Sequence, residues 1–230
     1  MGEMVEFASN GGTASGYLAT PEGGSGPGVV VIQEWWGLVD HIKEVADRMA
    51  AEGFVSLVPD LYHGTSVSNT EPDEAGKLLM SLNIEQAGKD MSGAVDYLAG
   101  HSNGNGVGVI GFCMGGALAL LLGTLRPEAV KAVVAFYGLI VWPAEDPDWS
   151  KMAAAVQGHY AEHDDSAGPA AVEKMDRVLG ERGVRTELFL YPGTEHAFFN
   201  DTRPEVYDAD ASKLAWQRTI PFLRSELAAR

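Results

Sequence analysis

Short apolar runs alternate with amphipathic stretches along most of the chain. The β-branched run at residues 29–32 is typical of a strand covered on both faces, and residues 42–51 have the spacing of an amphipathic helix. The same pattern predicts further strands at 54–58, 107–110, 132–137, 154–160 and 186–191. It predicts helices at 72–99 with a break near Asn83, and at 117–122, 172–179 and 209–227.

This order of elements predicts an α/β fold with one mostly parallel central sheet and helices on both faces. Residues 6–20 predict an N-terminal hairpin around Asn10-Gly11-Gly12. Neither an internal repeat nor a low-complexity segment divides the 230 residues, so we expect a single domain over 1–230. In open sheets of this kind, ligands bind beyond the carboxyl ends of the strands.

Composition and charge exclude several classes of partner. The 32 acidic residues outnumber the 16 basic ones, and the net charge of −16 repels phosphate backbones and anionic lipid. Residues 1–6 lack the basic start of an export signal, and no apolar run reaches the ~18 residues of a membrane span. One cysteine excludes an internal disulfide. We expect a cytoplasmic monomer or homodimer that binds a small molecule, with no nucleic acid and no membrane as partner.

That cysteine, Cys113, lies in Gly111-Phe112-Cys113-Met114-Gly115-Gly116, between a predicted strand and a predicted helix. The pattern is that of the nucleophile elbow G-x-S-x-G, with sulfur in place of oxygen. A helix N-terminus favours the thiolate, which is the nucleophilic form. The alternative is a buried cysteine that acts as a small hydrophobic residue.

Polar residues follow two later strands. Asp164 and Asp165 follow the strand near 160, and His196 follows the strand at 186–191. A nucleophile, an acid and a histidine in this order are typical of α/β-hydrolase triads, in which the carboxylate orients the imidazole that accepts the nucleophile's proton. We interpret His196 as the base, with His163 as its competitor, and the residues alone leave Asp164 and Asp165 open.

The remaining histidines have less specific contexts. His41 and His101 are expected at the surface, and His159 within a strand. His63, which follows Pro59-Asp60-Leu61-Tyr62, is a candidate for lining the pocket.

Several motifs together resemble the dienelactone hydrolase (carboxymethylenebutenolidase) family of α/β-hydrolases. They are Gln33-Glu34-Trp35-Trp36-Gly37, the elbow at 111–116, His163-Asp164 and Glu195-His196-Ala197-Phe198. The resemblance runs from the first hairpin to the last helix and implies the α/β-hydrolase fold. It implies Cys113 as nucleophile, His196 as base and Asp164, not Asp165, as acid.

The resemblance also assigns residues around the nucleophile. It implies that Glu34 lies beside the resting thiol, where a carboxylate disfavours the thiolate until substrate displaces it. It implies an oxyanion hole formed by the backbone N–H groups of Trp35 and Met114. Three side chains complete the predicted site as substrate-binding residues: Trp36, Phe198 and His63.

One departure from the family concerns the substrate. The founding members hold a substrate carboxylate with two arginines, one before the elbow and one shortly after the histidine. This chain has no arginine between Arg48 and Arg126, and residues 197–201 contain none. Lys77 or Arg203 could replace them, although lysine lacks the planar fork of arginine. The departure puts the dienelactone substrate in doubt, but not ester or lactone hydrolysis.

We therefore predict a cysteine hydrolase of small esters or lactones that forms a covalent acyl-enzyme and needs no metal or organic cofactor. The alternatives are a promiscuous acyl or phosphoester hydrolase that uses the same residues, and a non-catalytic thiol sensor on a hydrolase scaffold. A metal site built from Glu34, His63, Asp164 and His196 lacks recognisable ligand spacing.

Overall fold

The computed structural model describes residues 2–139 and 147–228, which form an eight-stranded sheet of order β1-β2-β4-β3-β5-β6-β7-β8. The strands are β1 (Glu3–Ser9), β2 (Gly12–Ala19), β3 (Gly28–Ile32), β4 (Val55–Pro59), β5 (Val107–Phe112), β6 (Val130–Phe136), β7 (Ala155–His163) and β8 (Thr186–Glu195). The helices are α1 (Asp40–Ala51), α2 (Pro72–Ser81), α3 (Ile84–His101), α4 (Met114–Leu125), α5 (Pro169–Gly180) and α6 (Ala209–Leu227).

The sheet has a parallel part and a short antiparallel edge. Strands β4, β3, β5, β6, β7 and β8 run parallel, whereas β1 and β2 form a hairpin whose second strand pairs antiparallel with β4. The structure confirms the predicted sheet and hairpin. It also confirms the break near Asn83, because this residue caps α3 by accepting the N–H of Gln86.

Two apolar cores hold the helices against the sheet. One joins α3, α4 and α5 to one face, and the other joins α1 and α6 to the opposite face. The central strands β3 and β5 are buried along their whole length, which accounts for their uninterrupted apolar sequence. Helix α4 is buried from Met114 to Thr124, so the helix that directly follows Cys113 is fixed inside the molecule.

Strand β8 extends further than the apolar pattern predicts. Pairing with β7 continues past Pro192 and Gly193, across an irregularity in the register, to the pair formed by His163 and Glu195. The Thr194 hydroxyl donates to the Tyr191 carbonyl within this extension. The strand therefore ends directly before His196. No helix of the described residues is long and apolar enough to cross a membrane.

Candidate active site

Five side chains of interest follow the carboxyl ends of parallel strands at one edge of the sheet. Glu34 lies beyond β3, Cys113 beyond β5, Tyr137 beyond β6, Asp164 beyond β7 and His196 beyond β8. Because these strands are neighbours or near neighbours, the loops that follow them converge.

Cys113 occupies a strained turn between β5 and α4. Its backbone has φ 54° and ψ −119°, a conformation that costs a residue with a side chain about 1–3 kcal/mol. The Cys113 N–H donates to the Phe136 carbonyl at 3.0 Å, and the Cys113 carbonyl accepts from the N–H groups of Gly116 and Ala117. These bonds fix the thiol at the start of the helix.

The glycines of the elbow are required by close backbone approach. A Cβ on Gly111 would lie 1.9 Å from the Gly115 carbonyl oxygen, and a Cβ on Gly115 would lie 2.4 Å from the carbonyl oxygens of Ile32 and Gln33. Larger residues would therefore push α4 away from β3 and move the thiol.

The half-buried Cys113 faces a cleft of about 150 Å³. Most of the lining is apolar, and His196 and Ser166 are its polar residues beside the thiol. The described residues that line it are Leu79, Cys113, Met114, Ala117, Tyr137, Gly138, Leu139, Ser166, Ala167 and His196. A small, largely apolar group fits this space.

His196 is oriented by Asp164. The distance from His196 Nδ1 to Asp164 Oδ2 is 2.6 Å, and Asp164 Oδ1 accepts the N–H groups of Ser166 and Ala167 at 2.8 and 2.9 Å. The Asp164 side chain is 1% exposed and that of His196 is 33% exposed. Asp164 thus holds Nδ1 of the ring, and His196 lines the cleft.

This contact shifts the protonation of both partners. Burial would lower the pKa of His196, but the side chains of Asp164 and Cys113 raise it to about 10. Burial would raise the pKa of Asp164, but His196 and the two backbone N–H groups lower it. At neutral pH the favoured pair is therefore imidazolium and carboxylate.

Glu34 is buried and held at both oxygens. Its Oε1 accepts the Tyr137 hydroxyl at 3.2 Å, and its Oε2 accepts the Asn200 side-chain N–H at 2.7 Å. Tyr137 in turn lines the cleft, and its ring lies edge-on to His196 with the centroids 5.1 Å apart. Tyr137 therefore connects Glu34 to the cleft that contains the thiol.

The two amides assigned to the oxyanion hole flank this region. Met114 is the first residue of α4, and Trp35 lies in the turn after β3. In the described part of the chain, neither of their N–H groups donates a hydrogen bond within the turns and loops. The oxyanion hole stays a prediction.

The three predicted substrate-binding side chains are not lining residues of the thiol cleft, and their role stays a prediction. Phe198 is 0% exposed and packs behind Tyr137, with ring centroids 5.5 Å apart. Trp36 is 2% exposed and lies beneath the guanidinium of Arg203. His63 Nε2 lies 3.4 Å from Asp90 Oδ2. None is among the described residues that line the thiol cleft. The ring of Phe198 is taken up by the aromatic core, whereas the ring of Trp36 packs against Trp35, with centroids 5.0 Å apart.

The other histidines are occupied or remote. His163 is exposed and lies 3.8 Å from Glu162, and Asp165 is exposed too. His159 is fully buried in β7, and burial lowers its pKa to about 3. The expected surface position of His41 is wrong, because it is buried and contacts Asp201 at 3.1 Å.

Sequence reasoning missed Tyr137 and Asn200. Tyr137 has the position of the last residue of an apolar strand, but it has φ 38° and turns its hydroxyl towards Glu34. A polar-tipped aromatic residue at the carboxyl end of a parallel strand was the available signal. For Asn200, the only signal in the sequence was its position four residues after His196.

The described residues contain no group of three or more His, Cys, Asp or Glu side chains that could hold a metal ion.

Several known proteins of similar sequence or fold have the name of one enzyme family. Protein usf of Aquifex pyrophilus is 37% identical over 235 residues, which span 99% of this chain and 100% of the relative. A protein of Aquifex aeolicus with the provisional name carboxymethylenebutenolidase is 34% identical over the same shares of each chain. A crystal structure provisionally named dienelactone hydrolase, from Klebsiella pneumoniae subsp. pneumoniae MGH 78578, is 28% identical. Its TM-score is 0.84, and the match covers 96% of this chain and 98% of that one.

The family match spans the whole site. A model of the dienelactone hydrolase family matches residues 14–227, a range that includes Cys113, Asp164 and His196. This chain therefore belongs to the dienelactone hydrolase family and is a hydrolase with the α/β-hydrolase fold.

Proposed function

We propose that this protein hydrolyses small esters or lactones through a covalent thioester on Cys113. The observation that carries the proposal is the 2.6 Å contact between Asp164 and His196 beside the cleft that contains the half-buried thiol. A thiol alone could serve other purposes, but a thiol with an oriented imidazole can transfer protons during acyl transfer.

The first half of the reaction forms the acyl-enzyme. The sulfur of Cys113, as thiolate beside the His196 imidazolium, attacks the carbonyl carbon and a C–S bond forms. The carbonyl electron pair moves to oxygen, which accepts the N–H groups of Trp35 and Met114. When the tetrahedral intermediate collapses, the C–O bond to the leaving group breaks. His196 donates its proton to the oxygen of the leaving group.

The second half releases the acid. His196, now neutral, accepts a proton from water, and the hydroxide oxygen attacks the thioester carbon. The C–S bond then breaks, the acid leaves, and the thiolate and imidazolium are restored. Throughout, Asp164 stays ionised and holds the ring with Nε2 towards the cleft.

The cleft favours a neutral acyl group. Leu79 from α2, Ala117 from α4 and Leu139 beyond β6 supply apolar walls. The two cations that could hold a substrate carboxylate are engaged by acids: Lys77 pairs with Glu74 at 2.6 Å, and Arg203 pairs with Glu205 at 2.8 Å. We therefore propose esters and lactones without a free carboxylate as the substrate class.

A panel of such esters and lactones tests the proposal. Wild type should hydrolyse them, and Cys113→Ala should not, although its circular dichroism spectrum and unfolding midpoint stay near those of wild type. Intact-mass analysis with a slow substrate should show one acyl adduct, which peptide mapping assigns to Cys113. Undiminished turnover by Cys113→Ala would overturn the mechanism.

Adding phosphoesters and an oxidant to the panel separates the alternatives. A thiol sensor would react with oxidants but turn over no ester. A hydrolase with broad specificity would cleave phosphoesters as well, with the same dependence on Cys113.

A further inference from the structure

Glu34 is a buried ionisable residue, and both of its carboxylate oxygens accept hydrogen bonds. The residue is 4% exposed, and each carboxylate oxygen accepts one side-chain hydrogen bond, from Tyr137 and from Asn200. A buried carboxylate that loses a donor loses compensation for its missing water. Each donor therefore determines where this charge lies.

Asn200 has only one orientation that satisfies its amide. Its Oδ1 accepts both the N–H and the hydroxyl of Thr202, at 3.1 and 2.7 Å. The amide nitrogen is thereby directed at Glu34, to which it donates at 2.7 Å. Asn200 is 1% exposed, so water does not replace this donor.

Tyr137 connects the carboxylate to the reaction centre. Its hydroxyl donates to Glu34, while its ring lines the cleft and meets the edge of the His196 ring. Burial, followed by the charges of Glu34 and Cys113, raises the pKa of Tyr137. The phenol thus stays protonated as a donor, and Tyr137 joins the carboxylate to the cleft that contains the thiol.

We propose that Asn200 is a positioning residue that acts through Glu34: it fixes the carboxylate against Tyr137 and away from the sulfur, and so preserves the reactivity of the Cys113 thiolate. Without the Asn200 N–H, the Glu34 carboxylate loses one of its two hydrogen bonds and is free to turn towards the cleft. Its negative charge then opposes the thiolate more strongly. The inference rests on the proposed function only in taking Cys113 as the reactive thiol.

The pH dependence of alkylation measures this effect without any substrate. Iodoacetamide, a neutral reagent, reports the thiolate fraction of Cys113, the protein's one cysteine. The groups that face the thiol are Tyr62 beyond β4, Tyr137 beyond β6 and His196 beyond β8, with the charges of Glu34 and Arg203 behind Tyr137. All of them are unchanged in the variants of Asn200.

We expect Asn200→Ala to move the alkylation midpoint upward by about half a pH unit or more, which is roughly a threefold slower reaction below the midpoint. The same substitution in a Glu34→Gln background should leave the midpoint where Glu34→Gln alone puts it. If Asn200 had only a structural role, its effect on the midpoint would not depend on Glu34.

Ser212→Ala is the matched control. Ser212 is buried on α6 and donates to the Phe198 carbonyl, in the same loop as Asn200, but it contacts neither Glu34 nor Tyr137. This variant also loses one buried side-chain hydrogen bond, but one to a neutral carbonyl. Its unfolding midpoint should fall while its alkylation midpoint stays at the wild-type value.

A second variant covers the case in which Asn200→Ala does not fold. Asn200→Asp keeps the acceptor for Thr202 but opposes one carboxylate to another across the 2.7 Å contact. It should lower the unfolding temperature in wild type and much less in Glu34→Gln, where an amide again donates across the contact.

Three results would overturn the inference. They are an unchanged or lowered alkylation midpoint in Asn200→Ala, a shift that persists without Glu34, and equal destabilisation by Asn200→Asp in both backgrounds. Loss of ester hydrolysis plays no part in these readouts, so the inference and the proposed function fail independently.

Discussion

The Nδ1 atom of His196 lies 2.6 Å from Oδ2 of Asp164, across 32 residues of sequence. The other Asp164 oxygen is held by the N–H groups of Ser166 and Ala167, so the carboxylate has a single orientation. Asp165 is the next residue, yet it is exposed. The turn after β7 thus directs one of two adjacent carboxylates inward, and this choice has consequences that can be measured.

Asp164→Asn should lower turnover by a factor of roughly 10³ to 10⁴, because an amide favours the wrong imidazole tautomer. Asp165→Asn is the matched control: it makes the same chemical change one residue away and should leave kcat/KM close to wild type. Ester hydrolysis by the two purified variants provides the comparison. The reverse ranking would show that the acid of the triad is Asp165.

The same pair should make stability depend on pH in a defined window. The folded pKa of Asp164 is lowered from 3.8, so its contribution exists above that value and is lost as pH falls. The pKa of His196 is raised from 6.5 to about 10, so its contribution is complete below 6.5 and disappears as pH rises towards 10.

We therefore expect the difference in unfolding free energy between wild type and Asp164→Asn to be largest between pH 3.8 and 6.5. It should shrink steadily from pH 6.5 to 10. Urea unfolding under reducing conditions at several pH values measures it. A difference that grows with pH in this range would contradict the pairing.

The sequence predicted the sheet well because its strands are buried on both faces. Continuous apolar runs such as those of β3 and β5 are unfavourable in contact with water, so they indicate strands covered by helices on each side. The elbow was equally readable, because the glycines around Cys113 are required by contacts shorter than a side chain permits.

The cleft was harder to predict, because the direction in which a side chain faces is decided by packing. Phe198 and Trp36 follow strand ends, as lining residues do, but the core between the sheet and α6 takes in the ring of Phe198. Leu79 lies on α2, far from any motif, and still lines the same cleft as the thiol. The family resemblance also could not reveal that Asn200 and Tyr137 hold Glu34, since both contacts depend on backbone turns.

Glu34→Gln should accelerate alkylation of Cys113 near neutral pH. The carboxylate lies behind Tyr137, and its negative charge disfavours a second negative charge on the sulfur. Removing it should raise the rate with iodoacetamide by roughly threefold or more at about pH 7, the change that half a pKa unit gives.

Glu52→Gln is a suitable control for that measurement. Glu52 is paired with Arg224 at the surface, and the substitution removes the same charge from a site that does not contact Tyr137. Its alkylation rate should equal that of wild type. If Glu34→Gln reacts no faster than this control, Glu34 acts only as a structural partner of Tyr137 and Asn200.

Substrate charge is the last property that the site determines. The walls of the cleft are apolar, Lys77 and Arg203 are paired with acids, and the net charge of the protein is −16. A carboxylate that enters such a cleft loses water and gains no bidentate partner, at a cost of about 1–3 kcal/mol. Neutral esters and lactones should therefore have the higher kcat/KM.

Matched pairs of substrates that differ only in a free carboxylate test this expectation. Measurements at two ionic strengths separate the long-range repulsion from the local cost of lost hydration. A tenfold preference for the charged member, about 1.4 kcal/mol, would reverse the expectation and assign Arg203 as its partner, which Arg203→Gln would then abolish.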